Sequence, residues 1–413
     1  MAHCMQKLSA LLFVAMLCSA SAAIGQTAPS VQTAPPLLTG YFPQWGLYNQ
    51  PQYLVKNLIT PAGTVMLDQL NYAQGFVTDS HCSIADPNAD IGYTFNAAQS
   101  VDGMPDSPTQ PLRGNFNQLL KLKQRYPHLK LILSLEGKAD SFAQDAQPEN
   151  RKAFVASCVD LFLQGNVAPG IAIHGLFDGI DIDWEYPHQE NAANFLALLA
   201  EFRSQMDALR PGLLLNIAVS PNPAMYAGTD LPAVARLVNQ IGLMTYDFSG
   251  PWSNTTGFLA PLSGGSEHKD GTVEHSVLAY RAAGVPAARI FLGIPFYGYG
   301  WHQVLEDNDG LFQEGVAIHG DLPYRHIESL IEQSTVHRDP LSMAPWIFDG
   351  DVFWTYDDPV SIRQKAFFAE DHQLGGLMIW ELGEDTAGAV LLNSAYTALH
   401  PLQNAASPSS QSQ

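Results

Sequence analysis

Residues 177–187 read Phe177-Asp178-Gly179-Ile180-Asp181-Ile182-Asp183-Trp184-Glu185-Tyr186-Pro187. Apolar and acidic residues alternate, which is the two-residue period of a β-strand. Asp181, Asp183 and Glu185 therefore share one face, about 6.6 Å apart per step, and Ile180 and Ile182 point to the other. Three carboxyls on one face of an apolar strand are costly, because like charges in a poorly solvated place cannot all ionise. Aliphatic side chains would serve a structural role better. The segment reads as a central strand that carries chemistry, with Glu185 last, at the C-terminal end where barrel catalysis occurs. Asp183 and burial are expected to raise the pKa of Glu185, as a general acid requires.

Working outward, seven more short apolar runs are bounded by Gly, Pro, Asn or Asp: 37–42, 66–73, 129–135, 213–219, 240–244, 290–295 and 375–380. Helical periodicity separates most of them. It is clearest at 191–209, where Ala192, Phe195, Leu196, Leu199, Phe202, Met206 and Leu209 fall on one side and Pro211-Gly212 ends the run. Segments 116–126, 152–164, 273–283, 360–372 and 387–399 behave similarly. Eightfold strand–helix alternation predicts an α/β chain folded as a (β/α)8 TIM barrel. A doubly wound open sheet is disfavoured, since no Gly-x-Gly-x-x-Gly turn follows the first strand. Two connections are too long for bare loops. One runs from Gln74 to Gly114. The other, Trp301 to about Tyr356, contains its own helix (324–333) and strand (352–355). It reads as a small α+β insertion domain at 302–356, between strand seven and helix eight, within a barrel spanning 37–301 and 357–400.

The termini read differently. Lys7, an apolar stretch from Leu8 to Cys18 and Ala20-Ser21-Ala22 form a signal peptide over 1–25. A linker at 26–36 follows, and 401–413 reads as a disordered tail. The protein is thus expected to be secreted, extracellular or periplasmic. No later stretch is apolar enough to span a membrane. Export leaves Cys82 and Cys158, which are open between a disulfide and two separate buried thiols. His81, Cys82, Asp79 and Asp86 read as a solvated loop, because their spacing matches no metal template. With 20 basic and 40 acidic residues the chain carries a net charge of −20, which excludes nucleic acid and anionic membrane surfaces as partners. Only 15% of residues are charged, well below the usual ~25%, so a large packed core is expected.

Asp178-x-x-Asp181-x-Asp183-x-Glu185 resembles the signature of glycoside hydrolase family 18, the chitinases. The likeness extends to Gly40-Tyr41-Phe42, Leu70-Asn71-Tyr72-Ala73, Met244-Thr245-Tyr246-Asp247, Leu292–Gly298 and Gly375–Glu381. Phe353–Pro359 resembles the end of the insertion domain of the deep-cleft members. The resemblance implies a retaining hydrolysis of β-1,4-linked N-acetylglucosamine in which the substrate's acetamido oxygen is the nucleophile. It implies that Glu185 protonates the glycosidic oxygen and that Asp183 orients the acetamido group. Asp181 would hold Asp183, and Tyr246 would donate to the acetamido oxygen. Asp247, Trp380, Tyr41, Met244, Trp252 and Asp178 would bind substrate, with Trp380 as an apolar floor. Chitin or a chito-oligosaccharide is the implied partner, for a monomer with no metal and no organic cofactor. Residues 134–138, Ser134-Leu135-Glu136-Gly137-Lys138, depart from the family's Ser-x-Gly-Gly pattern and lack the aromatic that commonly follows it. That removes stacking on the leaving-group side and leaves Glu136 open between a sugar contact and a drifted loop residue. Tyr299 stands where Arg is frequent. Two other activities compete: an endo-β-N-acetylglucosaminidase or peptidoglycan hydrolase on the same fold, and a carbohydrate-binding lectin on an inactive barrel. The retained acid argues against the lectin.

Overall fold

The computed structural model describes residues 35–401 apart from 79, 138 and 265–270. The expected signal peptide, most of the linker and nearly all of the tail lie outside the described residues. All eight apolar runs form strands: Leu37–Pro43, Gln69–Thr78, Lys130–Glu136, Gly179–Asp183, Leu214–Val219, Gln240–Leu243, Ile290–Pro295 and Gly376–Trp380. Each pairs in parallel with the next, and the first closes on the last, Leu37 opposite Gly376. The result is a closed (β/α)8 barrel, and these are its strands one to eight.

The two faces of strand four have different fates. Ile180 and Ile182 are buried in the layer between barrel and helices. There they meet the helix Ala192–Leu209, which buries Phe195, Leu198, Leu199, Phe202 and Met206 at helical spacing. Leu209, expected on that face, is 40% exposed because the helix ends there. The inward face is polar at the bottom of the barrel. Thr39 Oγ1 donates to Gln240 Oε1 at 3.1 Å, and Asn216 Nδ2 donates to Gln69 Oε1 at 3.3 Å. A small apolar cluster containing Tyr41, Ala73, Tyr246, Phe291 and Met378 lies in the upper barrel. Strand register sets Asp181 between Ser134 and Asn216, and Asp183 between Glu136 and Ala218.

The long connections hold structure that short-range patterns do not announce. Strand two runs on to Thr78 and folds back as the antiparallel strand His81–Ile84. His81 and Cys82, expected in a solvated loop, therefore lie on a strand; Asp79 is outside the described residues and Asp86 follows the strand's end. Cys82 on that strand is disulfide-bonded to Cys158, at the end of the helix Arg151–Cys158. The bridge closes a loop with a sequence separation of 76 residues. A loop of that length restricts the unfolded chain enough to stabilise the fold by about 2–4 kcal/mol. Reduction, or Cys82→Ala with Cys158→Ala, should shift the urea midpoint down accordingly; an unchanged midpoint would deny the bridge a stabilising role.

After strand seven the chain enters a second, six-stranded sheet that begins at Tyr297. Tyr297–His302 pairs antiparallel with Phe353–Tyr356, and Tyr324–Ile331 is the helix between them in sequence. Trp301, Trp346 and Phe353 fill the core of this unit, so these two tryptophans pack inside it and do not face a cleft. Asp358 then caps the helix Pro359–Asp371, accepting from the N–H groups of Val360 and Ser361. Two helices escaped the periodicity, Ala139–Asp145 and Leu231–Leu237. At seven residues each they are too short to repeat a pattern, although Asp230 capping Ala233 N–H with Pro at the start was a readable signal. No helix among the described residues is long and apolar enough to cross a membrane.

Candidate active site

A cavity of about 470 Å³ opens at the C-terminal ends of the strands. Strand four ends there with Asp183, Glu185 and Tyr186. Strand three brings Glu136, and the segment after strand six brings Met244, Tyr246 and Asp247. Strand eight brings Met378 and Trp380, and strand one Tyr41. Tyr297, Tyr299 and Asp321 close it from the second sheet. Seven of the ten residues expected from the sequence thus line one cavity: Glu185, Asp183, Tyr246, Asp247, Trp380, Tyr41 and Met244.

The other three lie elsewhere. Asp181 is 1% exposed, directly below Asp183 on the strand, and accepts hydrogen bonds from Tyr41 Oη at 2.7 Å and Ser134 Oγ at 2.9 Å. Trp252 is 62% exposed and sets its ring edge against Tyr299, outside the cavity lining. Asp178 does not belong to the site. Its carboxylate accepts from Lys123 Nζ at 2.7 Å and from Leu131 N–H at 3.0 Å, where strand four begins. Five residues of strand separate it from Asp183, about 16 Å, and put it at the barrel's opposite end. There it ties strand four to strand three and to the helix Gly114–Arg125.

Trp380 forms an apolar wall. Tyr41 packs its edge against it at 5.3 Å, and Trp45 lies 6.2 Å away. Asp247 has a positive φ of 61° and accepts from Tyr297 Oη at 2.6 Å, which fixes its carboxylate toward the cavity it lines. His188, just beyond the motif, is exposed.

The acids are crowded. Burial raises Asp183 well above the usual carboxylate range, and Glu185, Asp181 and Glu136 add repulsion. Asp183 Oδ1 is buried with no hydrogen-bond partner. Asp181 is raised to about 6 by burial, while the bonds from Tyr41 and Ser134 oppose the rise. Asp247 is also pushed up to about 6, chiefly by burial. Glu185 is raised as well, first by burial and then by the charge of Glu136, with a hydrogen bond to Tyr186 acting the other way. Asp183, expected as the raising charge, does repel Glu185, since the two carboxyls act on each other; Glu136, on the neighbouring strand, adds its charge to both. A negative neighbour disfavours ionised Glu185, so Glu136→Gln should lower its pKa. If protonated Glu185 is the working form, the basic limb of kcat/KM then moves to lower pH. An unmoved limb would deny Glu136 this influence.

Tyr186, Tyr297 and Asp321 carry no role in the sequence reading, and Tyr299 enters it only as a departure from the family pattern. Tyr186 and Tyr297 stood inside quoted motifs; the parity count past the end of strand seven points to Tyr297, whereas Tyr186 has the outward parity and lines the cavity only because the chain has left the strand. Asp321 had no local signal, because the fold of the second sheet alone carries it to the cavity.

Comparison with known proteins gives a consistent picture. The family model for "Glycosyl hydrolases family 18" matches residues 38–385. Chitinase C of Streptomyces lividans is 33% identical over 366 residues, covering 84% of this chain, and the chain spans only 57% of that protein's length. The catalytic domain of the psychrophilic chitinase B from Arthrobacter TAD20 is 30% identical and superposes with a TM-score of 0.80, covering 88% of this chain and 95% of that one. An N-acetylglucosaminidase from Paenibacillus barengoltzii is 27% identical with a TM-score of 0.69, covering 88% and 99%.

Proposed function

The chain belongs to glycosyl hydrolases family 18, and from that premise we propose that it is a chitinase acting on β-1,4-linked N-acetylglucosamine chains by a retaining, substrate-assisted route. Glu185 gives its proton to the glycosidic oxygen as the bond from that oxygen to the anomeric carbon breaks. The substrate's own acetamido oxygen attacks the anomeric carbon from the opposite face and forms an oxazolinium ion. Water then opens that ion, and Glu185 takes back a proton. Asp183 accepts the acetamido N–H and offsets the developing positive charge. Asp181, gripped by Tyr41 and Ser134, holds Asp183 in place. Tyr246 donates to the acetamido oxygen, Asp247 binds the cleaved sugar, and Trp380 carries its apolar face. Segment 302–356, with Tyr297 and Tyr299 ahead of it, serves as one wall of the cleft.

One observation carries this reading above the rest. Asp183 Oδ1 is a buried acceptor with no partner, in the same cavity as a raised Glu185. A buried unpaired acceptor is costly, and an amide N–H is the group that relieves it. The protein is further proposed to be exported. The apolar segment and small-residue site at the N-terminus support this, as does a disulfide, which persists in oxidising compartments.

The test is turnover on three substrates: a chito-oligosaccharide, a biantennary N-glycan and peptidoglycan. Turnover of the chito-oligosaccharide, faster than of either other polymer, is expected. Tight binding without turnover would favour a lectin. Preferential release of N-glycans or cleavage of peptidoglycan would replace the proposed substrate.

A further inference from the structure

Next to Trp380 the structure has a second recess of about 400 Å³, lined in part by Trp45, Gln50, Asp321, Arg325, Glu381 and Glu384. It adjoins the first cavity, since Asp321 lines both. Glu381 directly follows Trp380 at the end of strand eight, and Glu384 sits in the short helical turn Leu382–Glu384. Asp321 and Arg325 come from the second sheet and its helix.

The recess has more carboxyl groups than cations to pair them. Three carboxyl groups face one guanidinium, and Arg325 already spends Nη1 on the carbonyl of Gly383 at 2.6 Å. Glu381 is 4% exposed and Glu384 9%, yet Oε2 of each is buried without a hydrogen-bond partner. Burial raises both, Glu381 to about 8 and Glu384 to about 10; Glu381 and Asp321 add repulsion on Glu384. Around neutral pH Glu381 and Glu384 keep protons that free carboxyls would shed. A cation entering the recess would let these groups ionise and would fill their empty acceptor positions.

We propose that this recess is a subsite for a sugar bearing a free ammonium group, so that the enzyme favours partly deacetylated chains with a glucosamine placed there. The proposal rests on the glycoside hydrolase reading above. Trp45 offers a flat apolar surface for a sugar ring, 6.2 Å from Trp380. An ammonium has three donors to set against the carboxyls, whereas an acetamido group has one N–H and leaves acceptors unpaired. The position follows from the barrel. Glu185 and Glu136 end strands four and three, on the leaving-group side, while Trp45 and Glu381 follow strands one and eight, across Trp380. The glucosamine therefore sits on the glycone side, next to or next but one to the cleaved sugar. The cleaved sugar itself stays acetylated, since its acetamido group is the nucleophile.

The experiment digests randomly half-acetylated chitosan and sequences the products by mass spectrometry from the newly formed reducing end. The expected result is an acetylated sugar at that end and glucosamine enriched about threefold at the second or third position, the size of a partly exposed ion pair. Enrichment should fall toward the polymer average in Glu381→Gln, Glu384→Gln and Asp321→Asn, each compared with its own cleavage frequencies. Asp321 comes from a different element, so a folding failure in one variant leaves the others to decide. Random or depleted glucosamine at both positions in the unmodified protein, or enrichment that persists in all three variants, would overturn the subsite while leaving the hydrolase intact. No cleavage of either chitosan or a fully acetylated oligomer would instead overturn the hydrolase reading on which the subsite rests.

Discussion

Replacing Glu185 with Gln should lower kcat/KM on a chito-oligosaccharide by about 10²- to 10⁴-fold, the usual contribution of a positioned acid. The amide keeps the shape of the side chain and cannot supply the proton. Glu185 lies past the last paired residue of strand four and lines the cavity, so the fold does not depend on its charge. Melting temperature and oligosaccharide affinity should therefore stay close to those of the parent. Two features of the site make the loss large. Burial and Glu136 hold the acid's proton to higher pH than a free Glu would keep it. The substrate also loses the proton donor at its leaving oxygen, so bond cleavage must proceed toward an alkoxide. Activity above a tenth of the parent's, on protein shown to be free of reversion, would remove Glu185 from its role.

The second large effect concerns the nucleophile. If the acetamido oxygen attacks first and water second, the anomeric carbon inverts twice, and the first product observed by NMR is the β-anomer. Substrates with hydroxyl or free amine at the 2-position of the cleaved sugar should be inert, because neither can form the oxazolinium ion. A cello-oligosaccharide is the direct comparison. Asp183→Asn should cut kcat by a similar factor of about 10² or more, with a smaller change in binding, because a neutral amide does not offset the positive charge that develops in the transition state. A thiazoline that copies the intermediate should inhibit. An initial α-product, or efficient cleavage of the cello-oligosaccharide, would end the substrate-assisted assignment and the proposed part of Asp183 together.

Local periodicity determined the barrel. Each of the eight runs is apolar on both faces or alternates with the inward polar set, and each is bounded by turn residues. A strand buried on one side by helices has little freedom to be anything else. The carboxyl row was legible for the same reason: parity along one strand is a local property, and Asp181, Asp183 and Glu185 needed no knowledge of their neighbours. Asp178 shows where that reasoning stops. It belongs to the same motif, but its parity and its place before the strand set it apart from the row, and the ion pair with Lys123 shows its structural part.

The tertiary structure alone decided the rest. The pairing of Cys82 with Cys158 required the antiparallel strand after strand two, which no local pattern announces. The extra charge acting on Glu185 and Asp183 depended on which residue stands beside strand four, and strand pairing put Glu136 there. Asp321, Tyr299 and the acidic recess come from segments brought together only when the second sheet folds back over the barrel mouth. Residue order along one strand is set by the chain's own geometry, whereas juxtaposition across strands and sheets depends on packing between segments far apart in sequence, which no short window of residues contains.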